Sequence, residues 1–493
     1  MSTDSIVERT PMLEDSSLIN QLPLELLTRI FVLSEMKYRY ARLTSDSYSG
    51  FPSVATQVCR YWREVAIQTP ELWTYIFISR PQPHEHAKLY LSRSGTCLIH
   101  VDLVIHASKV EGCEASRQCA QMFGMLRSIL GSGGARVRWS SFALTAGFSR
   151  VFYKAIEHTK TMPTPNLRFV SLRCQQLQWS SLGEFWHWHP ATADLSHTLE
   201  TGPHRPLLRS VELLGLPEPL IFSRSKPFVS NLRRLALGSC SLSPYTISNL
   251  SLLFSACAAQ LESLSLDAGS IRHVGSENPP AISLRVSLPP LRFLSLEFVT
   301  SVAWAMNALR IIDAPNVEVF LHDFCFIEYA GYEFMRYICS GRLDGALQEK
   351  PVDGLLGAGP LFPSLHTLAL PNFSFDDTIL TSFFEAYTRI TKALLNDKAV
   401  EFLCRSTRPL PNLKHLRCLN KNSIVTPVKK LIRKRRDWGM KLSSLELVAV
   451  NCESVGWESM EAIEKDFERD ISSGLVVRVV EDRQFGWLGV YDV

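Results

Sequence analysis

The six residues Leu261-Glu-Ser-Leu-Ser-Leu266 form a phrase that recurs along most of the chain. The phrase is an apolar residue, two variable residues, an apolar residue, one variable residue and a third apolar residue. Good copies begin at Leu167, Leu208, Leu232, Leu261, Leu291, Leu365 and Leu442, and degenerate copies at Leu98, Trp139, Val317 and Leu413. Because side chains alternate between the two faces of a strand, each copy predicts a strand whose fourth and sixth residues point into the core.

The spacing of the copies indicates a repeat protein. The shortest separations, 24 to 30 residues, are typical of leucine-rich repeats, and separations of 41 and 48 residues predict insertions. Helical patterns lie between copies, opening at Ser243-Pro244, at Ser301 and at Asp376-Asp377. Alternation of strand and helix predicts an α/β fold, an irregular solenoid with a parallel sheet inside and helices outside. Another α/β domain with a parallel sheet remains the alternative.

One feature of regular leucine-rich repeats is mostly missing. The position three residues after the last leucine usually holds asparagine, whose side chain satisfies loop backbone. Other residues stand there in this chain, namely Gln175, Cys240, Val299 and Phe373. The repeat is therefore predicted to be irregular.

Two blocks near the N-terminus carry a different, helical pattern. The first is Ile19-Asn-Gln-Leu-Pro-Leu-Glu-Leu-Leu-Thr-Arg-Ile-Phe31, in which Pro23 suits the first helical position and apolar residues recur four apart. The second runs from Val54 to Trp73, and its helix should stop before Pro70 because a residue preceding proline avoids the α region. Such small helices cannot bury all their apolar surface alone. A partner helix surface is the natural cover.

Together the two blocks resemble an F-box, most closely that of the F-box proteins numerous in mushroom-forming (basidiomycete) fungi. The matching positions are Leu22, Pro23, Leu26, Ile30, Phe31, Val58, Cys59, Arg60, Trp62, Arg63, Ala66, Pro70, Leu72 and Trp73. The chain departs from the pattern by a loop insert at residues 34–53. An ordinary helical hairpin that caps a larger domain is the alternative interpretation.

The resemblance implies a partner. F-boxes bind the Skp-type adaptor of a ubiquitin ligase and, through it, a cullin. The implied adaptor-binding residues are Leu22, Pro23, Leu26, Leu27, Ile30, Phe31, Val58, Cys59, Trp62 and Trp73. The resulting domain prediction is a disordered tail at 1–17, an F-box-like domain at 18–75, a leucine-rich solenoid at 76–480 and a C-terminal tail at 481–493.

Composition excludes several classes of protein. The chain of 493 residues is 46% hydrophobic and 20% charged, as expected of a folded protein with more than one module. It has no apolar run long enough for a membrane span and no signal peptide, so we expect no membrane association and a cytoplasmic or nuclear location. Its twelve cysteines include no Cys-x-x-Cys, and they are expected to be free thiols.

Charge does not indicate a nucleic-acid partner. A formal net charge of +4 is small for this length. Only Lys429-Lys-Leu-Ile-Arg-Lys-Arg-Arg436 is locally basic, and it fits either a nuclear localisation signal or the solvated end of a helix.

No motif indicates catalysis. Gly131-Ser-Gly-Gly134 lacks the lysine of a phosphate loop, and the histidine pairs at His84-Glu-His86 and His187-Trp-His189 lack a third metal ligand nearby. We therefore expect no catalytic residues, metal or cofactor, and a protein that is not an enzyme. The predicted function is that of a substrate receptor for a ubiquitin ligase, with a leucine-rich scaffold that has no ligase role as the alternative.

The phrase also predicts a target-binding face. If its fourth and sixth residues point into the core, then the third, fifth and seventh point away from it, along the inner curve of the sheet. The charged residues expected there are Arg173, Glu212, Arg234, Asp267, Glu297, Asp323, Arg417 and Glu446. A row of carboxylates from the central copies would favour a basic segment of an unidentified target protein, whereas a solvated polar face would need no target.

Overall fold

The structure is a computed structural model, and the chain packs as two units. It describes residues 18–41, 50–79, 85–105, 117, 121, 124, 135–146, 164–174, 207–216, 218–221, 231–239, 245–267, 284–299, 301–324, 330–341, 359–371, 377–406, 410–420, 425–449, 465, 467–471 and 474–481. The first unit comprises Met1–Ile76 and Glu85–Ile99, which extends past the predicted boundary after residue 75. The second comprises Phe77–His84 and His100–Val493. The predicted tail at 1–17 lies outside the described residues.

The first unit is mainly helical. Its helices are α1 (Leu24–Ala41), α2 (Phe51–Val58), α3 (Arg60–Gln68) and α4 (Glu85–Arg93), with 3₁₀ turns at Leu18–Gln21 and Pro70–Trp73. The hairpin closes on an aromatic contact in which the Phe31 ring lies 5.6 Å from that of Phe51 and 4.9 Å from that of Trp62. One apolar face of α1 thus has a partner within the unit, through Leu27 and Phe31, which are fully buried.

Two expectations for this unit need correction. The insert at 34–53 is not simply a loop, because α1 continues to Ala41 and α2 begins at Phe51; residues 42–49 lie outside the described part. The second block is not one helix either, because Cys59 is extended (φ −154°, ψ 174°) and its Sγ accepts a hydrogen bond from the Trp62 N–H at 3.4 Å. That contact caps α3, which ends before Pro70 as predicted.

The strands form one large sheet. They are β1 (Tyr75–Ile78), β2 (Ile99–Ile105), β3 (Trp139–Ala146), β4 (Phe169–Cys174), β5 (Ser210–Leu216), β6 (Arg234–Ser239), β7 (Ser263–Asp267), β8 (Val286–Ser287), β9 (Phe293–Val299), β10 (Ile312–Asp313), β11 (Val319–Phe324), β12 (Thr367–Leu370), β13 (Lys392–Leu395), β14 (His415–Asn420), β15 (Ser444–Ala449) and β16 (Val476–Glu481). Fourteen of them lie in chain order in the sheet, while β8 and β10 pair separately. From β3 onward every neighbouring pair in the large sheet is parallel. The predicted α/β class with a parallel, solenoid-like sheet is confirmed.

Helices connect the strands of the second unit. They are α5 (Glu218–Ile221), α6 (Ile247–Cys257), α7 (Val302–Arg310), α8 (Ala330–Ser340), α9 (Asp377–Ala386), α10 (Asp397–Arg405), α11 (Val425–Asp437) and α12 (Glu468–Ile471). Right-handed crossovers between neighbouring parallel strands place such helices on one face, which we call the helix face. Ser301 caps α7 as predicted, but α6 is capped by Thr246 rather than by Ser243.

The register confirms that the fourth residues of the phrase are equivalent. Leu235 lies opposite Leu264, and Leu264 opposite Leu294. Leu294 is next to Phe320 of the degenerate copy, which in turn lies opposite Leu368. All five are 2% exposed or less, so this row forms the core beneath the helix face.

Among the strands of the large sheet from β3 onward, β13 is the one that the sequence did not predict. The separation of 48 residues between Leu365 and Leu413 is not an insertion, because it contains β13 and its copy Ile390-Thr-Lys-Ala-Leu-Leu395. Its fourth residue, Ala393, is smaller than the leucine of the other copies but lies opposite both Leu368 and Leu416.

A proline turn precedes five of the strands. In each case the N–H of the first residue of the phrase bonds to the carbonyl three residues earlier, with proline immediately after that carbonyl. The turns are Thr164–Leu167, Leu288–Leu291, Ala314–Val317, Phe362–Leu365 and Leu410–Leu413. In three of them the asparagine before the phrase donates its Nδ2–H to the preceding repeat, from Asn166 to Val137 O (2.7 Å), Asn316 to Pro289 O (3.0 Å) and Asn412 to Thr388 O (2.9 Å). Asparagine thus secures loop backbone at the opposite end of the strand from the expected position.

The basic segment is part of α11. Lys434 Nζ donates to the carbonyls of Cys404 (2.8 Å) and Ser406 (3.0 Å) at the end of α10. Arg435 is 1% exposed and donates to Leu410 O (3.0 Å) and Leu413 O (2.8 Å), the two ends of a proline turn. Much of this charge therefore holds backbone carbonyls inside the fold.

Apolar spacing near the C-terminus predicts two further elements: a helix from Trp457 to Ile471, through Met460, Ile463 and Phe467, and a strand on which Leu475, Val477 and Val479 alternate. A strand follows Leu475 as predicted, since β16 pairs with β15 in parallel. Of the predicted helix Trp457 to Ile471, the structure describes α12, Phe467 and Lys465, which is helical. The other residues of that segment lie outside the described part, as does the predicted tail after Glu481.

Candidate partner-binding site

Helix α1 has two apolar faces. Leu27 and Phe31 are fully buried within the first unit. Leu26, Ile30 and Leu33 recur at helical spacing on a different side, and they are 53%, 40% and 50% exposed. Soluble helices usually keep polar residues on the side away from the core. The second face of α1 is therefore a candidate contact surface.

Helices α2 and α3 also carry exposed apolar residues. Val54 and Val58, one turn apart on α2, are 40% and 56% exposed. The large hydrophobic residues of the unit's helices α1 to α3 that are at least 40% exposed are Leu24, Leu26, Ile30, Leu33, Met36, Val54, Val58 and Ile67. We call this set the apolar surface of the first unit. A concentration of exposed apolar side chains of this kind marks protein interaction sites.

The predicted adaptor-binding residues divide into two groups. Pro23, Leu26, Ile30 and Val58 are exposed, and Leu22, Cys59 and Trp62 are half-buried. Leu27, Phe31 and Trp73 are at most 1% exposed, which corrects their assignment to a contact surface. All three belong to the core that shapes the hairpin. Spacing alone does not separate the two groups, since the buried and exposed residues of α1 are neighbours in sequence.

The core beneath this surface is closed by Trp73. Its Nε1–H donates to Ala66 O at 2.7 Å, and its ring lies 4.9 Å from that of Tyr90. The Arg93 guanidinium lies 4.3 Å from the centre of the Trp73 ring, a cation–π contact. Helices α3 and α4 are thereby tied to the 3₁₀ turn between them in the chain.

Sequence reasoning missed the support given by the extension of α1. The buried Glu35 carboxylate accepts a hydrogen bond from Arg39 Nε at 3.0 Å. Arg39 also donates to Thr74 Oγ1 at 3.0 Å and stacks on the Tyr75 ring at 5.0 Å. Residues assigned to a loop therefore fix α1 against the segment after the last F-box-like residue. The i,i+4 spacing of Glu35 and Arg39 was the available signal.

Four of the eight charged residues predicted to form a target-binding face are paired with one another. We call this side of the sheet the far face. Arg173 and Glu212, on adjacent strands, form an ion pair at 2.9 Å, and Arg417 and Glu446 form one at 3.6 Å. Arg234 is exposed. These pairs reduce the charge available to a target.

The central carboxylates are not an open row. Asp267 lies opposite Glu297 as predicted, but Asp323 is 3% exposed, which corrects its placement on the surface. Glu297 accepts hydrogen bonds from Ser295 Oγ (2.8 Å) and Ser265 Oγ (3.1 Å). Burial raises the pKa of the Glu297 carboxyl, and the charges of Asp323 and Glu212 raise it further against the lowering effect of the two serines. This carboxylate is already satisfied by its own strands.

The far face is also partly apolar and buried. Its positions on β9 and β11 to β15 supply a second apolar cluster made of Phe293, Leu321, Ala369, Leu394, Leu419 and Val448, each at most 9% exposed. The expectation that third, fifth and seventh residues all line an open inner curve is therefore wrong for these strands. Polar residues at these six positions would have indicated an exposed face. Four of the six are leucine or valine instead, and none is charged, which indicates burial.

Other kinds of site find no support in the described part of the chain. No group of three or more His, Cys, Asp or Glu residues there is arranged to hold a metal ion. None of the described helices has the length and apolar character needed to cross a membrane.

The comparisons with known proteins leave the family open. No family model matches the chain, and no curated protein matches it. One similar solved structure is that of a Bacteroides fragilis protein determined as a structural-genomics target. It is 11% identical, covers 75% of this chain and 83% of its own length, and superposes with a TM-score of 0.34. A likeness at that level supports no statement about function.

Proposed function

We propose that this protein is a substrate-recognition adaptor of a cullin-type ubiquitin ligase. Its first unit binds a Skp-type adaptor through the apolar surface, and its parallel-sheet unit binds a target protein. Catalysis belongs to the partners. Holding a target beside the transfer machinery makes modification quasi-intramolecular by raising effective concentration.

The observation that supports this proposal most is the second apolar face of α1. Leu26, Ile30 and Leu33 stay exposed while Leu27 and Phe31 fill the core. The leucine-rich scaffold without a ligase role would use the hairpin as a cap, with Leu22, Pro23 and Ile30 buried. Pro23 and Ile30 are exposed and Leu22 is half-buried, which favours a partner-binding role.

The test is direct binding of the full chain to a purified Skp-type adaptor by calorimetry. Leu26→Ala and Ile30→Ala should each weaken binding by about 2 kcal/mol, roughly thirtyfold, because apolar anchors dominate such interfaces. The matched control is Leu252→Ala on α6, which removes an equally exposed leucine (55%) from the other unit and should change nothing. A folded chain that does not bind the adaptor would return the scaffold interpretation to first place.

A further inference from the structure

A continuous line of residues runs along the amino-terminal edge of the parallel sheet. In each copy of the phrase, the N–H of the second residue bonds to a carbonyl of the neighbouring strand, generally that of its second residue. Successive bonds run from Arg209 N to Arg168 O (3.0 Å), Arg233 N to Arg209 O (2.8 Å) and Glu262 N to Arg233 O (2.8 Å). These residues therefore stand side by side, about 4.8 Å apart.

Positive and negative side chains alternate along one part of this line but not along another. In the middle of the sheet the signs alternate from Glu262 to Arg292 to Glu318, with an ion pair from Arg292 to Glu318 (3.6 Å) and a contact of His366 Nε2 with the same carboxylate (3.5 Å). At β4 to β6 three neighbouring positions of this line hold arginine. We call Arg168, Arg209 and Arg233 the arginine row.

The arginine row is accessible and short of partners. Arg168 and Arg233 are exposed and Arg209 is half-buried. Among the described residues, Glu262 is the one carboxylate that pairs with the row, at 3.4 Å from Arg233. Like charges at adjacent sheet positions repel one another. An anionic partner would relieve this repulsion. The closely spaced arginines therefore favour binding of negative charge.

We propose that the arginine row binds an acidic segment of a protein. Arg168 and Arg233 are two strand spacings apart, about 10 Å, a distance spanned by about three residues of extended peptide. The small net charge of the whole chain, +4, provides little of the general attraction that nucleic-acid binding uses. The acidic protein is a target only if the proposed function is correct, so this inference rests on the proposed function. It also replaces the expectation that the central carboxylates select a basic segment.

The experiment measures fluorescence anisotropy of a labelled peptide of alternating aspartate and glycine with the full chain. Replacing Arg168, Arg209 and Arg233 together by serine should weaken binding about tenfold. The loss should shrink at high salt, because exposed charges are then screened. The matched control is Arg292→Ser, which removes an arginine at the same ladder position that already has a carboxylate partner and should change affinity less than about twofold.

Further arms separate the sources of negative charge. A peptide with asparagine in place of aspartate should not bind, and one with phosphoserine should bind through the same row. Equal binding of the asparagine peptide, or a triple variant that binds the aspartate peptide as well as wild type does, would overturn the proposal. So would tighter, row-dependent binding of single-stranded oligothymidylate, which would make the row a nucleic-acid site.

The result is separable from the adaptor test. The triple variant should bind the Skp-type adaptor normally, because none of its substitutions lies in the first unit. The Leu26→Ala, Ile30→Ala variant should bind the acidic peptide normally. Unchanged thermal unfolding of each variant excludes misfolding as the cause of a loss.

Discussion

His322 occupies an inward position of its repeat, the sixth residue, where the good copies carry leucine. It is 1% exposed, and its ring lies 4.8 Å from that of Phe334. Burial lowers the pKa of His322 from 6.5 to about 3, because the charged form loses its hydration. The folded state therefore keeps the imidazole neutral where the unfolded chain would protonate it.

This gives a prediction about acid stability. A group with a lowered pKa in the folded state makes stability fall as pH drops below its unfolded value, here from 6.5 towards 3. At pH 4 the loss for His322 is roughly 3 kcal/mol. His322→Leu should remove that component, so that its free energy of unfolding, measured in urea at several pH values, declines less in acid. Parallel pH profiles for the variant and wild type would contradict this account.

Arg435 gives a second prediction at the scale of a residue. Arg435→Ala leaves the Leu410 and Leu413 carbonyls without their buried donor, and it should destabilise the protein by about 2–4 kcal/mol. The exposed Lys430, one turn and a residue earlier on the same helix, is the control, and Lys430→Ala should change stability by less than about 0.5 kcal/mol. Urea denaturation of both variants measures the difference. Similar values would mean that the basic segment is merely solvated.

At the scale of an element, α1 is distinguished by having one core face and one exposed face. Phe31→Ala should destabilise the first unit by about 3–5 kcal/mol, because it empties a fully buried site. Ile30→Ala should leave stability nearly unchanged while weakening adaptor binding. Thermal unfolding followed with the binding measurement separates the two effects. Equal destabilisation by both substitutions would mean that Ile30 also belongs to the core.

The same elements show which features of the fold the amino-acid sequence predicts and which it does not. Proline chemistry predicted the end of α3, and serine the start of α7, because both act locally. The break at Cys59 and the extension of α1 depend on tertiary contacts, a thiol cap and the Arg39 contact with Thr74, which no local pattern specifies. The phrase predicted most strands from β3 onward, but β13 was missed because its fourth residue is alanine. For the contact residues, the spacing predicted the helical hairpin but did not predict which of its faces is exposed.

At the scale of the whole molecule, the parallel sheet has a cluster of buried apolar residues on each face over β9 and β11 to β15. Leu394 and Leu395 are sequence neighbours on opposite faces, and they are 8% and 0% exposed. Leu394→Ala should therefore cost about 2–4 kcal/mol, as much as Leu395→Ala. Chemical denaturation of both variants provides the comparison. A cost below about 0.5 kcal/mol for Leu394→Ala would place this residue on an open surface after all.

The proline turns bear on how such a chain changes over generations. Each turn sets the start of a strand within four residues, and the backbone ladder then aligns it with its neighbour whatever the length of the connection. Doubling a flexible connection costs only about 0.6 kcal/mol. Insertions between strands should thus cost little stability. Loss of a turn's proline, or of the buried first residue of the phrase that follows it, should cost more. Proteins descended from a common ancestor would then differ first in the lengths of these connections, and the proline turns would change most slowly.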